Sequence, residues 1–347
     1  MPLEAVRAVL LSWNQLNNPP LAAGELEHVL KNAGRYAPDQ TNQGRVDISN
    51  VYDGRRMIEA YREHIKTLKS NRFITGIHEI DKRIRGISGG EVLTIIARSG
   101  CFKTATLQNL LLNYTHNSKW AAVFFSVEMP VYSVTERYFQ NIFGEPGQEV
   151  ETMFSGAGET DPESFAAVCQ EFEAKMRNLL VIPSRIGLSD IPSYVDLIQR
   201  EKGIKVGVVG IDYLGLMDGP GRNEYEIVSE LAKGTKRLSK MLNIPIILLA
   251  QTNRSGGDGR KEISLDMARA SGQIEEAADI VLGLYTAPDT GKVIVGSDKQ
   301  PEALICKILK SRKSERDSRF KLDMDPVTFQ LGPDATIFNP KKETPTF

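Results

Sequence analysis

Cysteine is scarce in this chain of 347 residues, and the three present, Cys101, Cys169 and Cys306, form no CxxC pair. That argues against a disulfide framework or a structural zinc site and fits a reducing compartment. The four histidines are scattered as well. No apolar run approaches the roughly 18 residues of a membrane span, and the opening MPLEAVRAVL has neither the basic region nor the cleavage site of a secretory signal. A cytoplasmic protein without a membrane partner is therefore expected. Excess charge of one sign is also missing. With a net charge of −1, no global basic field advertises nucleic acid, although a basic channel would leave no trace in that total. Repeats and low-complexity tracts are absent. What is present is a 41% hydrophobic composition, enough for one large core with a small appendage.

The chain divides into three parts. Residues 1–35 read as a small helical module: Leu3, Val6, Leu10 and Trp13 share a helical face, then NNPP breaks the chain before a second short helix. Residues 36–72 read as a linker, polar at first and then helical through RRMIEAYREHIKTLK, with Met57, Tyr61 and Ile65 in period. Residues 73–347 change pattern. Short apolar runs, VLTIIA, AAVFFSVE, VGVVGID, IPIILLAQ, ADIVLGLY and ALICKIL, are separated by helical stretches such as TATLQNLLLNY and EIVSELAKGTKRLSKML. Near-continuous apolar strands alternating with helices predict an α/β fold with a mostly parallel central sheet covered on both faces. RFKLDMD alternates Phe320, Leu322 and Met324, as an antiparallel edge strand would.

In such a sheet, ligands sit in the loops that follow strands. ARSGCFKT (residues 97–104) follows VLTIIA and opens a helix near Thr104. It has the outline of the phosphate loop GxxxxGK[ST], with Ala97 and Phe102 where the two glycines would stand. Helix N-terminal amides would hold phosphates, Lys103 would reach the β- and γ-oxygens, and the Thr104 hydroxyl would bind magnesium. The candidate nucleotide contacts are Ala97, Arg98, Ser99, Gly100, Cys101, Phe102, Lys103, Thr104 and Ala105. An ordinary strand-to-helix turn with an exposed lysine would read the same in the octapeptide alone. Three further strand ends weigh against that: Glu128 closes AAVFFSVE, Asp212 closes VGVVGID and Gln251 closes IPIILLAQ. An apolar run ending in aspartate suits the orientation of a magnesium shell. Glu128 could activate the attacking water, and Gln251 could report the γ-phosphate. ATP and Mg2+ are the cofactors this pattern implies.

From ITGIHEIDKRIRGISGGEVLTIIARSGCFKT through FFSVEMP, IDYLGLM, NIPIILLAQTNRS, ASGQIEEAADIVLGLY and KILKSRKSE, residues 73 to about 332 resemble the RecA-like P-loop motor domain of DnaB-type replicative hexameric helicases. The resemblance implies an ATP-hydrolysing DNA helicase that works as a homo-hexamer and moves 5′ to 3′ on single-stranded DNA. It also implies a site shared between subunits, in which Lys310 and Arg312 reach the neighbour's γ-phosphate. Basic loops after strand ends, with Arg222 in one and Arg254, Arg260 and Lys261 in the other, would track DNA phosphates. Primase and a helicase loader are further partners it implies. LLSWNQLNNPPLAAGELEHVLKNAGR is similar to the helical motif at the C-terminal end of primase domains. On that likeness, the helix at 55–69 would dock on an adjacent motor domain.

Phe102 departs from the pattern. Glycine is usual before the lysine because the backbone needs a conformation that a Cβ resists. The expectation is that Gly100 absorbs the unusual dihedrals, the Phe102 ring turns away from the nucleotide, and hydrolysis is slow, with Phe102→Gly faster. Rival readings are a RecA-like ATPase of the recombination or clock type, and a non-hydrolysing assembly protein that binds nucleotide or DNA.

Overall fold

The structure is a computed structural model that describes residues 14, 52–70, 72–157, 161–252, 262–268, 271–289, 302–314 and 317–338. The chain forms two compact units, residues 1–63 and 64–347. The helical module expected at 1–35 lies outside the described residues, Asn14 excepted. Helix α1 (Gly54–Ser70) covers the helix expected at 55–69.

In the larger unit the chain runs α2 (His78–Ile84), β1 (Val92–Ala97), α3 (Lys103–Asn117), β2 (Ala121–Ser126) and α4 (Val131–Phe143). It continues through α5 (Gly147–Thr152), α6 (Pro162–Met176), β3 (Leu179–Ile182), α7 (Ile191–Lys202), β4 (Val206–Asp212), α8 (Glu224–Leu242) and β5 (Ile246–Gln251). It closes with α9 (Ser271–Ala277), β6 (Ile280–Pro288), β7 (Glu302–Ser311), β8 (Arg319–Met324) and β9 (Leu331–Ile337). The strands make one sheet in the order β3-β2-β4-β5-β1-β6-β7-β8-β9. Pairing is parallel from β3 to β6 and antiparallel from β6 to β9. The α/β expectation holds, with two differences. β8 alternates as read, Phe320 and Leu322 being buried, but it is not the edge, because β9 pairs outside it. β9 and β3 were not anticipated: LGPDATI carries glycine and proline, which depress strand propensity, and LLVI is only four residues long.

Alternate residues of each parallel strand face opposite layers, as the pleat requires. Leu93, Ile95 and Ala97 of β1 pack with Leu107 and Leu111 of α3, while Ile96 packs on the other face with Leu231 and Leu238 of α8. Burial on both faces explains why these strands read as unbroken apolar runs. The glycines of VGVVGID seat α3 closely on β4. A Cβ on Gly207 would stand 1.9 Å from the Tyr114 hydroxyl, and one on Gly210 would stand 2.7 Å from Leu111 Cδ1. α3 thereby lies low over β4, which sets the height of its first residues above Asp212.

Candidate nucleotide site

Register decides how deep each strand end lies. Ile211 of β4 is level with Leu248 of β5, which is level with Thr94 of β1, while Gln251 is level with Ala97. Asp212 therefore sits beside Leu249 and stops two residues short of Gln251 and Ala97, roughly 7 Å deeper at about 3.3 Å per residue. It is fully buried. The Asp212 carbonyl accepts the amides of Val127 at 2.8 Å and Glu128 at 3.3 Å. The Ser126 hydroxyl donates to the Met129 carbonyl at 3.0 Å, closing the turn that delivers Glu128. Backbone bonding thus brings the acids of β2 and β4 together.

The phosphate loop enters above them. α3 begins at Lys103, one residue before the position expected from sequence, and its N-cap is Phe102, which cannot accept from the first turn. Helix N-termini usually take Ser, Thr, Asp or Asn there. An uncapped start leaves the orphan amides and the positive end of the helix dipole to an external acceptor, such as a phosphate. Lys103 and Thr104 are buried. Lys103 Nζ is 3.6 Å from Glu128 Oε2 and 5.4 Å from the Tyr213 ring centroid.

Burial pushes the Asp212 carboxyl up to about 6, against the Thr104 hydroxyl and the Lys103 ammonium, which favour the ionised form, and with the Glu128 charge opposing it further. Neither Asp212 oxygen has a hydrogen-bond partner of ordinary geometry among the described residues. A buried acid without a partner is a cost that a native protein retains for a reason. The donor set, a threonine hydroxyl and an acid below an uncapped helix, is oxygen chemistry of the kind magnesium takes, so the residues present fit a metal-bound nucleotide.

The structure divides the sequence-predicted site residues. Lys103, Thr104, Ala105, Glu128 and Asp212 converge, and Gln251 lies at the end of β5, beside Ala97. Ser99 and Gly100 are exposed on the loop and Arg98 is half-buried. Cys101 differs from expectation: its side chain belongs to the core, its amide donates to the Arg98 carbonyl at 3.2 Å, and burial pushes its thiol up. Gly100 is left-handed at φ +84°, but Phe102 is too, at φ +54°. The expectation that Gly100 absorbs the unusual dihedrals holds in part: Gly100 takes one, and a phenylalanine carries the second left-handed position, at a cost of about 1–2 kcal/mol.

Lys310 and Arg312 stand elsewhere. β7 is antiparallel to β6, so Val281 faces Lys310 and Ile280 faces Ser311, at the end of the sheet opposite the loop. The length of β1, roughly 17–20 Å, separates them from Lys103, more than either side chain spans. Lys310 Nζ donates to the carbonyls of Glu275 and Ala278, and Arg312 pairs with Asp279 at 3.0 Å. Arg222 is exposed, its amide held by Glu226 Oε2 at 2.8 Å. Arg254, Arg260 and Lys261 lie outside the described residues. Sequence reasoning missed Tyr213, Arg137 and Phe329. Tyr213 was readable as the neighbour of Asp212, whereas Arg137 and Phe329 reach the site through tertiary packing that no local pattern signals.

A parallel sheet extended by an antiparallel ribbon, with a phosphate-loop strand at its middle and acids on the strands beyond it, defines a RecA-like α/β domain. Residues 73–325 match the family described as DnaB-like helicase C terminal domain. The chain belongs to that family. It is 28% identical over 218 residues to the replicative DNA helicase DnaB of Haemophilus influenzae, covering 61% of this chain and 45% of that protein. It is 30% identical over 221 residues to a probable plasmid replicative DNA helicase of Chlamydia trachomatis serovar L2, covering 60% and 46%. The chain thus spans about half the length of the curated relatives it matches. Among solved structures, an isolated ATPase domain superposes with a TM-score of 0.65 at 20% identity, over 81% of this chain and 99% of that one. A DnaB-like replicative helicase, described with its interactions with primase, superposes with a TM-score of 0.64 at 18% identity, over 96% and 76%. These two likenesses concern the fold. No helix among the described residues is long and apolar enough to cross a membrane.

Proposed function

We propose that residues 73–347 are the motor of an ATP-driven replicative DNA helicase that assembles as a homo-hexameric ring on single-stranded DNA. Residues 1–35 would be a primase-C-terminal-like module and 36–72 a linker whose helix docks on a neighbouring motor. The observation that carries the reading is Asp212, buried beneath Lys103 and Thr104 with neither carboxylate oxygen hydrogen-bonded in ordinary geometry among the described residues. Family membership supports the same conclusion.

On this reading, the amides at the start of α3 and the Lys103 ammonium bind the β- and γ-phosphates of ATP. Thr104 and Asp212 hold magnesium, which when bound neutralises charge on those phosphates. Glu128 orients the attacking water and takes its proton. Gln251, at the height of the loop, hydrogen-bonds the γ-phosphate. Lys310 and Arg312 serve the next subunit's nucleotide, since they stand a sheet length away from their own. Arg222, Arg254, Arg260 and Lys261 follow the C-terminal ends of β4 and β5 and bind DNA phosphates. Primase and a loader are the macromolecular partners.

Magnesium-dependent ATP hydrolysis, measured with and without single-stranded DNA alongside unwinding of a forked duplex, tests the proposal. DNA-stimulated hydrolysis with unwinding, both lost in Lys103→Ala, is the expected result. Nucleotide binding without hydrolysis would overturn the motor reading in favour of an assembly protein.

A further inference from the structure

Among the described residues, five non-glycine positions have a left-handed backbone, and two of them are phenylalanines in mutual contact. Phe102 (φ +54°) and Phe329 (φ +58°) have ring centroids 6.3 Å apart and planes tilted by 53°. A bulky residue persists in that region only where its surroundings over-determine it.

Around Phe329 the determinants are amides. Its carbonyl accepts from Asn109 Nδ2 at 2.7 Å and from Asn141 Nδ2 at 2.8 Å. Asn141 Nδ2 also donates to Asn109 Oδ1 at 2.8 Å, which in addition accepts the Leu331 amide at 3.0 Å. Gln330 Nε2 donates to the Asn141 carbonyl at 2.8 Å. The turn at 325–331 is thereby bound both to α3, which the phosphate loop opens, and to α4, which follows Glu128. Arg137 of α4 lies 5.3 Å from the Phe329 ring centroid, and its charge also favours ionised Asp212.

We propose that Phe102 is a positioning residue of the phosphate loop: seated against Phe329, its ring holds the left-handed backbone before Lys103 that a glycine would reach by conformational freedom alone. The inference rests on the nucleotide reading above and deepens it. A glycine at this place samples many conformations and gives up that freedom on binding, whereas an anchored aromatic has given it up beforehand. It follows that the 325–331 turn, remote in sequence, governs how Lys103 and Thr104 meet a phosphate. Removing the Phe329 ring then acts on nucleotide binding as removing the Phe102 ring does.

The test is a double-mutant cycle on the dissociation constant of a fluorescent ADP analogue with magnesium. Phe102→Ala and Phe329→Ala should each weaken binding roughly three- to tenfold, and the double variant should be no weaker than the worse single one. Phe102→Tyr should stay within about twofold of the parent. Phe102→Gly should bind more tightly than Phe102→Ala, because glycine carries no left-handed penalty. Parental affinity in Phe102→Ala, or full additivity in the double variant, would overturn the proposal. Amide hydrogen exchange at 100–106 in the nucleotide-free chain supplies a readout that needs no ligand. Phe329→Ala should speed exchange there while leaving the central strands protected, and unchanged exchange would also overturn the proposal. Where the parent binds no analogue at all, the nucleotide reading fails and exchange alone decides about Phe102. Should Phe329→Ala not fold, Phe329→Leu, which keeps bulk and loses the ring, replaces it with the same expectations at their lower end.

Discussion

Two aspartates are buried at opposite ends of the same sheet, and they live under opposite conditions. Asp279, before β6, accepts the Val92 amide at 2.8 Å and the Lys236 ammonium at 2.6 Å on one oxygen, with the Arg312 guanidinium at 3.0 Å on the other. Beside it, Lys313 pairs with Glu91 and the Lys310 ammonium binds the Glu275 carbonyl of α9 and the Ala278 carbonyl just beyond it. Asp212, at the far end of β4, has neither oxygen hydrogen-bonded in ordinary geometry among the described residues. One end of the sheet pairs its polar groups within the chain, while the other leaves a buried acid, an uncapped helix and a left-handed phenylalanine. On the nucleotide reading proposed above, the difference separates stabilising from functional chemistry. A satisfied buried charge holds strands in place, whereas an unsatisfied one is tolerated where a ligand completes it.

The largest expected effect would cut across that division. If Arg312 serves a neighbouring subunit's nucleotide, Arg312→Ala should lower hydrolysis by roughly 10³- to 10⁵-fold while the ring stays assembled. Its pairing with Asp279 is half-exposed and shared with Lys236, so its loss should cost at most about 1 kcal/mol of stability. Mixed rings of Arg312→Ala and Lys103→Ala should regain some turnover, because certain interfaces then join an intact loop to an intact arginine. Properly mixed rings that stay inactive would return Arg312 to a purely structural role. Glu128→Gln should also abolish turnover while retaining nucleotide, and parental hydrolysis in that variant would remove Glu128 from the mechanism.

The next effects set the two aspartates against each other in stability. Lys236→Ala leaves Asp279 with the Val92 amide and a half-exposed arginine, and should destabilise the chain by about 3 kcal/mol in urea melts. Asp212→Asn should do the reverse in the absence of nucleotide. With its pKa raised to about 6 by burial, protonated Asp212 contributes stability that is fully present below about pH 4 and is lost as pH rises through about 6. Replacing the charge should therefore stabilise the ligand-free chain at neutral pH by about 1–3 kcal/mol, flatten that pH dependence, and abolish magnesium-dependent binding. A destabilised Asp212→Asn would mean that the carboxylate is satisfied within the chain after all.

Much of this was legible in the sequence, for reasons that differ by residue. The parallel strands were readable because both faces are buried, and VLTIIA and VGVVGID coincide with β1 and β4 to the residue. Lys103, Thr104, Glu128 and Asp212 were readable because strand ends in such sheets converge on one side. The left-handed state of Phe102 was not, since phenylalanine carries no local preference for it; the conformation comes with contacts to Phe329 and the amides around it. Asp279 was hidden for a similar reason. Inside ASGQIEEAADIVLGLY it reads as one acid among several, and its partners Lys236 and Arg312 come from elements distant in the chain.

The smallest expected effect tests whether DNA meets only one of the two ends. Arg222 comes after β4 in the chain and Arg254, Arg260 and Lys261 come after β5, two strands that end on Asp212's side of the sheet, whereas Lys313 lies at the other end, bound to Glu91 and the Gly86 carbonyl. Each phosphate contact on single-stranded DNA contributes about 0.7 to the slope of log affinity against log salt. Neutralising one of the four loop residues should lower the slope by that amount and weaken binding alike for all sequences, because a backbone contact reads no base. Lys313→Ala should leave the slope unchanged, its ammonium being already engaged within the chain. Fluorescence anisotropy of labelled oligonucleotides over a salt series measures both. An equal loss of slope from Lys313→Ala would place DNA at both ends of the sheet and dissolve the division between them. A sequence-selective loss from Arg254 or Arg260 would instead mean that the loop after β5 touches bases.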